Sequence, residues 1–131
     1  MPRGRRESLL PPDGQGIVTA AAVVGGLVAG LLIGLYDLET ARTLVAAVLV
    51  VVAAFGLALA HPHSWWMSAL AVTIGIPVVY FWALAAGEPI PYPPVPNILA
   101  LLIAVVPAMI GGALGRVASR HVSALRAMLR R

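Results

Sequence analysis

IVTAAAVVGGLVAGLLIGL, residues 17–35, decides the fold class. Among these 19 residues only Thr19 has a polar side chain, and ten are Leu, Ile or Val. Each of the ten is worth roughly −0.3 to −0.6 kcal/mol at the middle of a membrane helix, so inserting the stretch gains on the order of 3–6 kcal/mol. As a helix the 19 residues reach about 28 Å at 1.5 Å per residue, close to the hydrocarbon thickness of a bilayer. Membrane strands would show alternation every second residue, and the stretch shows none.

The rest of the chain repeats this character. Of 131 residues 60% are apolar and 11% charged, and the mean hydropathy is +0.94. Uncharged runs of 23, 45 and 27 residues separate Asp13 from Asp37, Arg42 from Glu88, and Glu88 from Arg116. Runs of that length mean membrane. This composition excludes a soluble enzyme, a disordered chain and a conventional nucleic-acid-binding domain, although a pI of 10.7 alone would suggest nucleic acid. With no Cys there is no disulfide, thiolate nucleophile or Cys-ligated metal site. All nine basic residues are Arg, which with the wealth of Ala, Val and Gly points to a GC-rich bacterial coding sequence.

Working outward, residues 1–16 hold Arg3, Arg5 and Arg6 and then the breakers Pro11, Pro12, Gly14 and Gly16, and read as a flexible basic tail. A basic start before an apolar run also describes an export signal, and Arg5-Arg6 is a faint twin-arginine pattern. The long apolar run, with no small-residue cleavage site after it, favours an uncleaved first span over 17–35. Tyr36 to Arg42 reads as a polar turn, with Asp37 capping a second span at 38–60. His61-Pro62-His63-Ser64 reverses direction, and Ser64 caps a third span at 65–86. Residues 87–97, GEPIPYPPVPN, hold five prolines and predict a stiff external loop, after which Asn97 caps a fourth span at 98–115. The expectation is an all-α integral membrane bundle of four antiparallel helices over 17–115, followed by a basic amphipathic tail at 116–131.

Arginine counting orients it. With the N-terminus cytoplasmic, Arg3, Arg5, Arg6 and the five arginines from Arg116 onward lie inside, and Arg42 alone lies outside. That asymmetry places both termini in the cytoplasm of a bacterial inner membrane. Trp65 and Trp66 then fall at the inner interface, with Tyr36, Trp82 and Tyr92 at or near the outer one.

Four features invite a functional reading. Ala22, Gly26, Gly30 and Gly34 recur at a spacing of four in the first span, and Ala100, Ala104, Ala108 and Gly112 do so in the fourth, with Gly111, Gly115 and Ser119 on an adjacent row. Rows of small residues let helix backbones approach in lipid, within the bundle or between copies, and could also line a passage for a small solute. Pro77 and Pro107 each remove a backbone donor near mid-membrane and predict helix kinks. His61, His63 and His121 are too few and too scattered for a strong metal-site signature, and no cofactor is expected. In the tail, Arg116, Arg120, Arg126 and Arg130 share one side of a helix with Ser119 and Ser123, and Arg131 follows. They predict contact with anionic lipid headgroups, the tail either continuing the fourth span or bending onto the membrane.

Apart from Glu39 and Arg42 in the first turn of the second, no Asp, Glu, Lys, Arg or His falls inside any expected span, and none lies at depth. Coupled transporters normally place one there, and intramembrane hydrolysis would need a base and a nucleophile at depth. The functional expectation is therefore a non-enzymatic structural or accessory membrane protein packing through its glycine seams, against itself or in a larger complex. The alternative is a small homo-oligomeric channel or transporter.

Residues 61–120 carry a Pro-containing inner turn, Gly75-Ile76-Pro77, the Pro-Tyr-Pro-Pro loop, and Pro107-Ala108-Met109-Ile110-Gly111 leading to Gly115-Arg116. In these features the chain resembles small uncharacterised four-span bacterial membrane proteins, a resemblance that implies a fold and no activity. The glycine motif of four-span fluoride channels opens the chain, whereas here Gly111 to Arg116 closes it. Small multidrug exporters need a Glu in the first span, which is missing here.

Overall fold

The computed structural model describes residues 12–40, 42–90 and 97–130. The described residues are all helical or connecting, in four helices: α1 (Pro12–Thr40), α2 (Thr43–Ala60), α3 (Trp65–Ala86) and α4 (Asn97–Leu129). Three helical stretches, Gly14–Thr40, Trp65–Ala86 and Ile103–Leu129, are long and apolar enough to cross a membrane, and Leu44–Ala60 is a shorter apolar helix. Arg3, Arg5 and Arg6, the proline-rich segment 91–96 and Arg131 lie outside the described residues.

Helix α1 is longer at both ends than the apolar run. It starts at Pro12, because the first helical position needs no backbone N–H and suits the fixed φ of proline. It also continues through Tyr36-Asp37-Leu38-Glu39-Thr40, where a turn was expected. That segment contains neither Gly nor Pro, and Thr40 Oγ1 donates back to the Tyr36 carbonyl at 2.8 Å. Asp37 thus sits near the C-terminal end of α1 and does not cap α2. The N-cap of α2 is Arg42, with no side-chain cap, its carbonyl accepting from Val45 N–H at 2.9 Å and Ala46 N–H at 3.1 Å. Moving the turn shortens α2 to 18 residues, about 27 Å, near the lower limit for a span.

Ser64 holds the N-cap position of α3, but its side chain makes no capping bond. Its carbonyl instead accepts from Ser68 N–H at 3.1 Å and Ser68 Oγ at 3.3 Å. The other end of α3 is a Schellman closure. Gly87, at φ +72°, donates to the Leu84 carbonyl at 3.3 Å, and Glu88 N–H donates to the Ala83 carbonyl at 3.0 Å. Helix α4 runs unbroken for 33 residues, about 50 Å, so residues 116–129 extend the fourth helix and do not fold back.

The packing order is not the chain order. Helix α1 packs chiefly on α3 and α2 chiefly on α4; α3 also meets α4, α2 touches α1 and α3 less, and among the described residues α1 and α4 do not meet. The core is built from small residues. Ala22, Ala46, Ala54, Ala58, Ala69 and Ala108 are buried, while Val50 and Val72 are the largest apolar side chains buried completely. Large aliphatics face outward on every helix, among them Leu32, Val52, Ile74 and Ile110. In water that distribution would forgo most of the hydrophobic gain of folding; in lipid the outer surface costs nothing and the small core lets backbones close. The apolar helices thus mark a membrane protein.

Candidate anion-binding cleft at the basic end of the bundle

Two seams set the geometry. On α1, a methyl group added at Gly26 would lie 2.8 Å from the Ser68 carbonyl oxygen and 2.9 Å from Ala71 Cβ. One added at Gly30 would strike the Val72 carbonyl oxygen and lie 3.0 Å from Gly75 Cα, and one at Gly34 would lie 3.1 Å from Val79 Cβ. Partner numbers rise together, so α1 and α3 run parallel. On α4, methyls at Gly111 and Gly115 would strike the carbonyl oxygens of Val51 and Phe55, which makes α2 and α4 parallel as well.

The fourth-helix rows therefore divide between two neighbours. Gly111 and Gly115 face α2, whereas Gly112 faces α3, where an added methyl would lie 2.8 Å from Trp65 Cε3. Ala108 joins the buried cluster with Val50, Ala54, Ala69 and Val72, and Ala104 is buried too. Pro77 and Pro107 are partly buried in helices that continue through them.

Gly75, to which the residue pattern gives no packing role, lies opposite Gly30: a methyl on it would come within 2.6 Å of the Gly30 carbonyl carbon. It belongs to no row of three; Ala71, four residues earlier, and the Gly75-Ile76-Pro77 sequence are its only marks. The buried hydroxyls of Ser68, Thr73 and Ser119 donate to carbonyls three or four residues earlier, Thr73 Oγ1 to Ala69 at 2.9 Å. No described buried side-chain polar atom lacks a partner.

At the end of the bundle where α3 begins, a shallow open cleft of about 480 Å³ is lined by Pro62, His63, Arg116, Ser119, Arg120 and Ser123. Turn 61–64 supplies one wall and α4 the other. Arg116 is held by an aromatic face, its Cζ lying 5.9 Å from the Trp65 ring centroid, within cation–π range. Ser119 Oγ donates to the Arg116 carbonyl at 2.7 Å and Ser123 Oγ to the Ser119 carbonyl at 2.9 Å. Their protons are thereby spent on the helix, so the donors facing the cleft come from the two guanidiniums and His63.

Of the arginines expected at lipid headgroups, the structure brings Arg116 and Arg120 to this cleft, with Arg126 and Arg130 exposed farther along α4. The signal for His63 was the turn itself, but only folding shows which α4 residues it meets. No group of three or more potential metal ligands occurs among the described residues. No family model, curated protein or solved structure matches the chain.

Proposed function

We propose that the protein is a non-enzymatic integral membrane protein of the bacterial inner membrane, with four antiparallel crossings, both termini cytoplasmic, and a structural or accessory role. The inverted core carries this reading: glycine, alanine and serine are turned inward and large aliphatics outward, so the lateral surface suits lipid or another apolar helix. Gly26, Gly30 and Gly34 are pressed against the α3 backbone and side chains, which leaves them no room to line a passage. The parallel α1–α3 register puts Tyr36 and Trp82 at one end and Trp65 and Trp66 at the other, as two interfacial belts would require. On this reading Arg116, Arg120, Arg126 and Arg130 face an anionic leaflet, each worth about 1 kcal/mol before screening.

Reconstituted full-length protein should leave vesicles as tight to potassium, protons and small neutral solutes as protein-free vesicles. A protein-dependent flux would replace the structural reading with that of a small channel. Orientation is tested separately, by single cysteines at Ser8, Ser64, Tyr92 and Ser123 in intact cells. Only position 92 should react with an impermeant thiol reagent, and labelling at 64 or 123 would reverse the topology.

A further inference from the structure

We infer that the cleft between turn 61–64 and α4 is a discrete binding site for a phosphate group, with Arg116, Arg120 and His63 as its donors. The inference rests on the membrane reading above and narrows its headgroup contact from a spread of tail charge to one place.

Charge is the first argument. Arg116 and Arg120 are one turn apart on the same face of α4 and both line the cleft. Like charges at that spacing repel, so the pair gains from a counter-anion. Of the chain's described acids, Asp13 lies in the first turn of α1, at the same end of the bundle as Trp65, but among the described residues α1 packs on α3 and not on α4; the other three are remote. Asp37 and Glu39 are in the C-terminal part of α1 and Glu88 follows α3. Because α1 and α3 are parallel, all three lie at the end of the bundle opposite Trp65, about 30 Å away along a 22-residue α3.

Positioning is the second. Gly112 leaves room for the Trp65 ring against α4, and that ring lies under the Arg116 guanidinium. The arginine nearest the membrane is thus directed by an aromatic plate, which preserves its planar fork of N–H donors for the two oxygens of a phosphate. His63 approaches from the facing wall on a turn stiffened by Pro62. Ser119 and Ser123, both small, keep the floor of the cleft low.

Depth is the third. Trp66 is 48% exposed beside Trp65, and Leu114 and Val117, flanking Arg116, are 54% and 52% exposed. Tryptophans beside outward aliphatics mark the headgroup level. A phospholipid phosphate lies at that depth, and a soluble phosphate reaches the cleft from its open side.

Full-length protein in neutral maltoside micelles tests the site, with tryptophan emission and phosphorus line broadening as readouts. The probes are short-chain phosphatidylglycerol, short-chain phosphatidylcholine and inorganic phosphate. Saturable binding of phosphatidylglycerol is expected, and the double variant R116Q/R120Q should weaken it about tenfold or more, the loss expected for removing charge-assisted hydrogen bonds. The H63N variant should weaken it by a smaller factor. R126Q/R130Q removes the same charge outside the cleft and should change binding less than about twofold. Tighter, competing binding of inorganic phosphate with the same variant pattern assigns the site to soluble phosphate, and phosphatidylglycerol preference assigns it to lipid; both support a phosphate site. Equal losses in the two double variants, or no saturable binding of either anionic probe, would overturn it. Because the assay uses micelles, it can fail while the cysteine-labelling pattern holds, or succeed while that pattern fails. Circular dichroism checks that each variant keeps its helix content, and R116K/R120K, which keeps charge without the planar fork, should bind between wild type and R116Q/R120Q.

Discussion

Gly30→Leu is expected to destabilise the bundle by on the order of 3 kcal/mol, the upper end of what overpacking costs. The substitution has an opposing term, since Leu is a better helix former than Gly by about 1 kcal/mol and inserts into lipid more readily. The contact geometry decides the sign. The first added carbon strikes the Val72 carbonyl oxygen and comes within 3.0 Å of Gly75 Cα. Both are backbone atoms, which cannot rotate aside, so α1 must move away from α3. Gly30→Ala should already be harmful for the same reason. Gly34→Ala, which meets the Val79 side chain at 3.1 Å and 3.2 Å, asks only for a small adjustment and should cost less. At Gly56 nothing lies within 4 Å, so the helix-propensity gain is unopposed and Gly56→Leu should range from neutral to about 1 kcal/mol more stable than wild type. Unfolding by SDS in maltoside micelles, followed by tryptophan emission, ranks the four. Equal stability of Gly30→Leu and wild type would mean that α1 and α3 do not meet at this seam.

The second large effect is expected at Gly111. A side chain there strikes the Val51 carbonyl oxygen and lies 3.0 Å from Val51 Cα, again backbone against backbone. Helix α2 depends on this contact more than its neighbours do, because it is the shortest helix and its main packing partner is α4. Gly111→Leu should therefore cost about 2–3 kcal/mol and loosen α2 selectively. A cysteine at buried Ala54 in that background should become reactive to thiol reagents, while one at Ala69 stays protected. Ala113→Leu, two residues along but facing outward, serves as the control and should be near neutral. Protection of position 54 in Gly111→Leu would count against a close α2–α4 seam.

These substitutions also separate what the residue pattern can show from what it cannot. A spacing of four at Gly26, Gly30 and Gly34 shows that some helix must lie close, since a groove of glycines without a neighbour would only expose backbone. It does not name the neighbour, because a second copy of the chain would present the same opportunity to the same groove. The structure supplies α3, and with it Gly75, an isolated glycine that no repeat marks. The basic cleft divides in the same way. Arg116 and Arg120 stand out as charge in the sequence, but His63 is more than fifty residues away and joins them only because the turn before α3 faces α4.

The sequence alone determined the helical, apolar character of the chain, because backbone groups in lipid must be satisfied within each segment and long uncharged runs have few other uses. It also contained the punctuation around α3, the His-Pro-His-Ser turn on one side and Gly87, whose positive φ closes the helix, on the other. It did not determine where α1 stops, since Tyr36 to Thr40 is polar enough for a turn and unbroken enough for a helix, and local preference there is nearly balanced. Nor did it determine that α1 pairs with α3 and α2 with α4. Short connections bring consecutive helices near each other, but the tightest contacts form where glycine admits a facing backbone. That match of surfaces between segments distant in the chain exists only once the helices are assembled.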